Sequence, residues 1–373
     1  MMERISAAAR PDYGKKLEAI GLSFWQWDNY WNEEAYYRFH AKEIEEIEAA
    51  TEELHCMCVE AAKFAIANDR LAELRIPEPF HASIRSSFAA DDFSLYGRFD
   101  LAYDGVTPPK MLEYNADTPT SILESAVAQW YWLEEVHPRD DQFNSLHERL
   151  VARWNSLDEP LIHFASISGN EEDWVATTYL METALQAGKA VRHITLDEIG
   201  WDASLAIFVD MQGMPIKCLF KLYPWEWMMR EPFGVHVIGA ETRFVEPLWK
   251  SVLSCKGILP LLWELFPNHP NLLEAHFGEP RGLSAFAKKP LFSREGANIE
   301  LYRQGMLAYR SGDGPYGEEG YIYQALASLP CFEGRYPVIG SWVAGGEPAG
   351  MCIREDISPI TTNMSYFVPH VLR

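Results

Sequence analysis

YGRFDLAYDGVTPPKMLEYNADTPTSILE, residues 96–124, is the stretch on which the reading of this chain turns. Phe99, Leu101 and Tyr103 alternate with Arg98 and Asp100, so Arg98 and Asp100 share one face of a strand. In the second run, Glu113 and Asn115 share a face, with Leu112 and Tyr114 opposite. If Asp104–Pro109 joins the two as a hairpin without a bulge, Tyr103 pairs with Lys110. That register sets Asp100 across from Glu113 and Arg98 across from Asn115. Opposed carboxylates destabilise a strand pair unless something positive lies between them. Carboxylate and amide oxygens are hard donors of the kind Mg²⁺ accepts, usually with phosphate completing the shell. A solvated sheet face with Arg98 neutralising one acid is the plain alternative.

Just beyond, Thr118-Pro119 has the form of an N-cap and a first-turn proline, which predicts a helix over about 119–135. A helix N-terminus beside the two acids would suit an anion or carboxylate, with the Thr118 and Thr120 hydroxyls to hand.

Working outward, residues 42–68 carry Ile44, Ile47, Leu54, Cys58, Ala61 and Ala65 at helical spacing among glutamates. Residues 160–210 read as strand (LIHFASI), helix (DWVATTYLMETALQAG) and two strands (AVRHITL, SLAIFVD), a pattern suited to a parallel sheet. Residues 246–275 read as short buried helices. From 284 onward strands and loops dominate, with one helix predicted near 320–328. The chain divides near 156 and 278 into an N-terminal part, a central α/β module and a C-terminal part.

Composition removes several classes. Against 32 Lys and Arg stand 54 Asp and Glu, a net charge of −22. No basic footprint for nucleic acid follows, nor a basic helix for a membrane surface. No run reaches the roughly 20 apolar residues of a membrane span. The first residues, MMERISAAARPDYGKK, have no apolar core of a signal peptide, which points to the cytoplasm. The six cysteines lack zinc-site spacing, and buried free thiols are the expectation. A G-x-G-x-x-G at Gly312, Gly314 and Gly317 contains Pro315 and adjoins Asp313, Glu318 and Glu319, so it reads as a polar loop, not a dinucleotide fingerprint. Walker A, G-x-S-x-G and paired zinc-histidine patterns do not occur.

GRFD followed by LEYNADTPTSILE resembles the metal-binding stretch of the glutathionylspermidine synthase family of ATP-grasp ligases. The likeness continues through FVEPLWKSVLSCKGILPLLWELFPNHPNLL, AKKPLFSREGANIEL, YIYQALASLP and GGEPAGMCIRED, in family order over nearly the whole chain. The resemblance is to the stand-alone acid–amine ligase branch, without the amidase domain of bifunctional members.

That resemblance implies an α+β ATP-grasp fold with an α/β pre-ATP-grasp, Rossmann-like module. Residues 1–155 and 279–373 would form the catalytic unit, 156–278 the module, and 293–320 a lid. It implies an ATP- and Mg²⁺-dependent ligase joining a small or short-peptide carboxylate to an amine, possibly a polyamine, through an acyl phosphate. Asp100, Glu113 and Asn115 would bind Mg²⁺, and Arg354 would be the transition-state arginine. Arg98, Phe99, Asp100, Lys256, Lys289, Glu295, Gly296, Gln324, Ala325, Leu326, Ala327, Val338, Pro359, Ile360 and Thr361 would hold nucleotide. Arg98, Thr118, Thr120, Glu171 and Glu172 would meet substrate. A homodimer fits the family.

Two positions depart from the family pattern. Leu222 replaces a threonine that contacts glutathione, and Tyr366 stands where an acid serves the polyamine. Both point to a different acid or amine. A fold-keeping protein that binds ATP without ligating is the rival reading, and a glycosidase using Asp100 and Glu113 is a third.

Overall fold

The computed structural model describes residues 2–27 and 30–373. Helix and sheet mix throughout. Two five-stranded antiparallel sheets and one four-stranded parallel sheet border a cleft.

The hairpin of residues 96–115 lies at one side of the first sheet. In spatial order the strands are Tyr366–Val368, Glu347–Asp356, Tyr336–Ala344, Tyr96–Ala102 and Lys110–Asn115, all antiparallel. Asp100 pairs with Glu113 and Arg98 with Asn115, as the assumed register sets them. Towards the loop the register slips. Ala102, not Tyr103, pairs with Lys110, because Leu112 is an extra residue between Met111 and Glu113. The bulge occurs on the edge strand, and the second sheet uses the groups it turns outward. Lys289 donates to the Leu112 carbonyl (2.9 Å) and Gln324 to the Met111 carbonyl (3.0 Å). The edge is thereby covered and the two sheets are tied together.

Behind this sheet lies the amphipathic helix, Ala41–Ala67. Its buried stripe includes Ile44, Ile47, Leu54, Cys58, Ala61 and Ala65, packed into the same core as Phe99, Leu101, Ile339 and Ile353. Glu43 accepts from the His40 backbone N–H to cap it.

Ala275–Phe277, Tyr321–Ala325, Ala285–Pro290, Glu300–Arg303 and Met306–Arg310 form the second sheet. One expectation fails here. The helix predicted near 320–328 is the strand Tyr321–Ala325, in which Ile322 and Gln324 are buried while Tyr321, Tyr323 and Ala325 are half-buried. Aromatic and β-branched residues at period two outweigh the short apolar run that suggested a helix. The segment expected as a lid, 293–320, has regular structure of its own. It contains the hairpin Glu300–Arg303/Met306–Arg310, turned by Gln304 and Gly305, both at positive φ (51° and 74°).

The parallel sheet has the order Arg243–Val245, Cys218–Lys221, Leu161–Ser166, Ala190–Thr195. Helix Glu171–Gln186 makes the crossover between the last two. The chain then returns to the other side of Leu161–Ser166, so the direction of winding reverses between that strand and Cys218–Lys221. SLAIFVD does not join this sheet. Its Ile207–Val209 pairs antiparallel with Gly200–Asp202 as a separate ribbon, and Cys218–Lys221 takes the expected place.

The short helices of 246–275 are present and buried, including Ile258–Leu265. His370–Leu372 runs parallel to Ala35–Phe39, which pairs with Glu3–Ser6. All six cysteines are free thiols; Cys56 and Cys331 are exposed, against the expectation of burial for all. Among the described residues no helix is long and apolar enough to cross a membrane.

Candidate functional site

A cleft of about 830 Å³ opens between the two antiparallel sheets and the loops that follow the parallel strands. Its floor is the charged face of the 96–115 hairpin. Arg98 and Asp100, each 5% exposed, point into it, joined by an Arg98 Nε–Asp100 Oδ1 contact of 3.0 Å. Gly340 makes this possible. It pairs with Asp100, and a Cβ there would come within 2.9 Å of Arg98 Cδ and 2.6 Å of Cys352 Sγ. Arg98 instead lies across the strand over the Trp342 ring, 5.5 Å from its centroid, and donates to the Thr120 carbonyl.

From Glu347–Asp356, two strands away, Arg354 reaches the other oxygen of Asp100, at 3.1 Å. Glu113 is met by Lys256 (2.9 Å) and by the Asn115 amide (3.2 Å). Burial opposes ionisation of Glu113, yet Lys256 and Lys289 outweigh it and hold the carboxyl well below the usual range. Burial lowers Lys289 to about 8, against the attraction of Glu113. Lys289 also donates to the Gln324 side-chain oxygen at 2.7 Å. Four cations thus surround two opposed acids, and their charge opposes the repulsion between those acids.

Among the described residues no group of three or more His, Cys, Asp or Glu side chains is arranged to hold a metal ion. The donor set at the hairpin is two carboxylates and one amide. These are all hard oxygen donors on one sheet face, which is chemically suited to Mg²⁺ when phosphate or water completes the shell.

One end of the cleft is apolar. Ala287, Ile299, Leu301 and Ile360 form a small cluster of their own with Leu326 against it, and all five line the cleft with Val338. Ala287, Ile299 and Leu301 escaped sequence reasoning. Their only signal is alternation along strands that also serve the core.

Over this end Glu295 and Gly296 take positive φ (54° and 71°). A Cβ on Gly296 would stand 2.4 Å from the Thr361 carbonyl oxygen and 2.9 Å from Ile360. On the nucleotide role that the family resemblance implies for Gly296, Gly296→Ala should leave the fold intact, since the clash is confined to two loops, but weaken that binding tenfold or more, by roughly 1–3 kcal/mol of strain and displacement. Calorimetry with Mg²⁺-ATP checks this, and unchanged affinity would remove Gly296 from the site.

The opposite end is acidic and aromatic, with Glu172, Asp173, Trp27 and Trp227. Burial, with Glu172 beside it, pushes the Asp173 carboxyl up to about 7. Arg294 spans from Glu226 (2.9 Å) to the Thr118 hydroxyl. The helix predicted from Thr118-Pro119 begins instead at Ile122, and Ser121 sits at φ 70°. Residues 117–121 are held open by tertiary contacts. Arg98 takes the Thr120 carbonyl and Arg294 the Thr118 hydroxyl, while Asp117 bonds Lys221 (2.7 Å) and the Trp225 N–H (2.8 Å).

Of the residues singled out in the sequence, Arg98, Asp100, Glu113, Asn115, Thr118, Thr120, Glu172, Lys289, Glu295, Gly296, Gln324, Ala325, Leu326, Ala327, Val338, Arg354, Pro359, Ile360 and Thr361 all line the cleft. Three stand outside its lining. Phe99 stacks on Tyr114 in the core, ring centroids 3.9 Å apart. Lys256 reaches Glu113 and donates to the Ser293 carbonyl (2.6 Å). Glu171 is exposed and accepts from the Ser23 hydroxyl. Leu222 lines the cleft, whereas Tyr366 lies under the Arg335 guanidinium.

A model of the family described as glutathionylspermidine synthase, preATP-grasp, matches residues 4–373. The chain belongs to the glutathionylspermidine synthase family. Within that family it is 40% identical to a Haemophilus influenzae protein named "Putative acid–amine ligase", over 99% of both chains. It is 30% identical to the bifunctional glutathionylspermidine synthetase/amidase of Escherichia coli, over 90% of this chain and 59% of that protein. It is 29% identical to trypanothione synthetase of Crithidia fasciculata, over 93% of this chain and 56% of that protein. Among solved structures, a glutathione synthetase-like effector from Globodera pallida superposes with a TM-score of 0.57. It is 10% identical, with 98% of this chain and 100% of that one covered. The glutathionylspermidine synthase family fold is thus a mixed helix-and-sheet architecture shared with a glutathione synthetase-like protein.

Proposed function

We propose that the protein is an ATP-grasp carboxylate–amine ligase that activates its acid as an acyl phosphate. The observation that carries this is the pair Asp100 and Glu113, opposed on one sheet face and ringed by Arg98, Arg354, Lys256 and Lys289. So many cations on two acids are in excess of what the acids alone require, and they suit a polyphosphate entering a chain of net charge −22. The adenine would enter the slot of Ile299, Leu301, Leu326, Val338 and Ile360, whose apolar lining suits a flat ring. Residues 1–155 and 279–373 would build the catalytic unit on the α/β module of 156–278.

Asp100, Glu113 and Asn115 would hold Mg²⁺, which neutralises phosphate charge. The chain's own residues then do the rest. Lys256 and Lys289 fix the phosphates. Arg98 orients the substrate carboxylate, whose oxygen attacks the γ-phosphorus while ADP leaves. Arg354, planar and permanently charged, follows the charge that spreads over the transferring group. The amine nitrogen then attacks the acyl carbon, phosphate leaves, and the nitrogen gives up a proton.

Hydroxylamine tests the first half. With Mg²⁺-ATP and a panel of short peptides and amino acids, a hydroxamate and stoichiometric ADP should form with at least one acid. Absence of both nucleotide binding and phosphate release across the panel would end the proposal. Phosphate release without any hydroxamate or amide would favour the ATP-binding protein that does not ligate.

The acidic end would receive the amine. Because Asp173 titrates near pH 7, facing Glu172, Arg294 and Glu295, its charge is present above that pH and lost below it. Affinity for a cationic amine should therefore rise several-fold from pH 6 to pH 8, and Asp173→Asn should flatten the profile. An unchanged profile in the variant would assign the titration elsewhere.

A further inference from the structure

A second cavity, of about 650 Å³, lies in the α/β module against the acidic end of the cleft. The two share walls: Ile167 and Trp227 line both. Its position follows from the topology. Ile167 and Ser168 follow strand Leu161–Ser166, Leu196 and Asp197 follow Ala190–Thr195, and Tyr223 follows Cys218–Lys221. The chamber therefore sits at the carboxyl ends of the parallel strands, spanning the point where the winding reverses. That is where open α/β sheets leave a crevice for a ligand.

The chemistry of its walls is uneven. Phe208, Leu219, Val237 and Phe244 are buried and apolar, and Phe233 closes one side while remaining 43% exposed. Among the described residues no Lys, Arg or His lines it. Its two charged residues are Asp197 and Glu231, both exposed, and no described cation stands within ion-pair distance of either. Glu231 accepts from the Tyr223 hydroxyl. Glu172 and Asp173 belong to the acidic end of the main cleft, where Arg294 lies over the Trp227 ring (5.9 Å) and is tied to Glu226 and the Thr118 hydroxyl.

We propose that this chamber binds the apolar tail of the amine substrate, an alkyl- or arylalkylamine whose ammonium group lies at Glu172 and Asp173 and whose body passes between Ile167 and Trp227. Inside the chamber a free carboxylate would meet only Asp197 and Glu231, and Arg294 at the Trp227 wall is already paired with Glu226. A short hydrophilic amine would leave the chamber filled with water against apolar walls, without the gain from burying a ring or chain there. The proposal rests on the ligase reading for its meaning but not for its test.

The test uses 4-phenylbutylamine, ethylamine and 4-phenylbutanoate as probes, with calorimetry on the full chain. The arylalkylamine should bind roughly tenfold or more tightly than ethylamine. The carboxylate of equal bulk should bind at least tenfold more weakly than the amine. Leu196→Trp fills the chamber from its half-exposed rim and should cost the arylalkylamine roughly tenfold while leaving ethylamine and Mg²⁺-ATP unchanged. Phe233→Ala removes an exposed wall, with little risk to folding, and should weaken the same probe several-fold. Equal binding of the carboxylate would overturn the amine assignment. No binding of the arylalkylamine, or unchanged affinity in both variants, would overturn the chamber as its pocket. If that happens while Mg²⁺-ATP still binds and phosphate is released, only the tail pocket fails. If wild-type protein binds no Mg²⁺-ATP, it is the ligase reading that fails.

Discussion

Arg354→Ala should lower hydroxamate formation by about three orders of magnitude while leaving Mg²⁺-ATP affinity within a few-fold. The asymmetry follows from the geometry. Arg354 contacts one oxygen of Asp100, whereas Arg98 holds the other and itself is anchored to the Thr120 carbonyl. Asp100 keeps a cationic partner in the variant, so the ground-state site persists. What disappears is a donor able to follow charge onto a transferring phosphoryl group. Arg354→Lys should recover only a fraction of the loss, since an ammonium cannot supply the planar fork. Single-turnover quench experiments separate the two effects. A parallel loss of nucleotide binding and of cooperative unfolding would make Arg354 a structural ion pair. Unchanged turnover would remove it from the chemistry.

The second large effect concerns stability. Asp117→Ala should destabilise the fold by about 3–5 kcal/mol, measured by urea unfolding. Lys221 is fully buried and Asp117 is 1% exposed. The Lys221 ammonium contacts Asp117 (2.7 Å), the Tyr223 carbonyl (2.9 Å) and the face of Trp225 (4.2 Å). Burial already depresses its proton affinity, and Asp117 restores part of it. Removing the acid leaves a desolvated cation with one neutral acceptor, and an orphaned Trp225 N–H beside it. The double variant Asp117→Leu/Lys221→Met should recover most of the loss, because an apolar pair of similar volume carries no unpaired charge. A deficit of under 1 kcal/mol in Asp117→Ala would mean that water replaces the carboxylate. The pair also joins the loop after the hairpin to the α/β module, so the single variant should loosen Thr118 and Thr120 before it unfolds the chain.

How far such features are legible in sequence depends on whether they are local. Period two in GRFD and LEYN suffices to put Arg98 with Asp100, and Glu113 with Asn115, each pair on one face, because alternation is a property of each strand alone; setting Asp100 across from Glu113 needs an assumed register. The Leu112 bulge is invisible there. Its position depends on Lys289 and Gln324 arriving from another sheet, more than 170 residues away. Thr118-Pro119 carries an honest helix-start signal, yet the backbone is held open to Ile122 by Arg98, Arg294 and Lys221. Tyr321–Ala325 is the reverse case. A short apolar run is ambiguous by itself, and pairing with Ala285–Pro290 on one side and Ala275–Phe277 on the other makes it a strand.

By itself, the sequence determined the alternation of the charged hairpin, the amphipathic helix behind it, the order of the first parallel strands and their crossover, and, through motifs in family order, the family. Each of these is written in neighbouring residues, by periodicity or by a contiguous pattern. Only the tertiary structure decided which of Arg98, Lys256, Lys289, Arg294 and Arg354 meet which acid. It also decided where the apolar slot lies and that a second chamber adjoins the acidic end. Those properties depend on contacts between residues far apart in the chain, and a net charge of −22 cannot say where its few opposing cations gather.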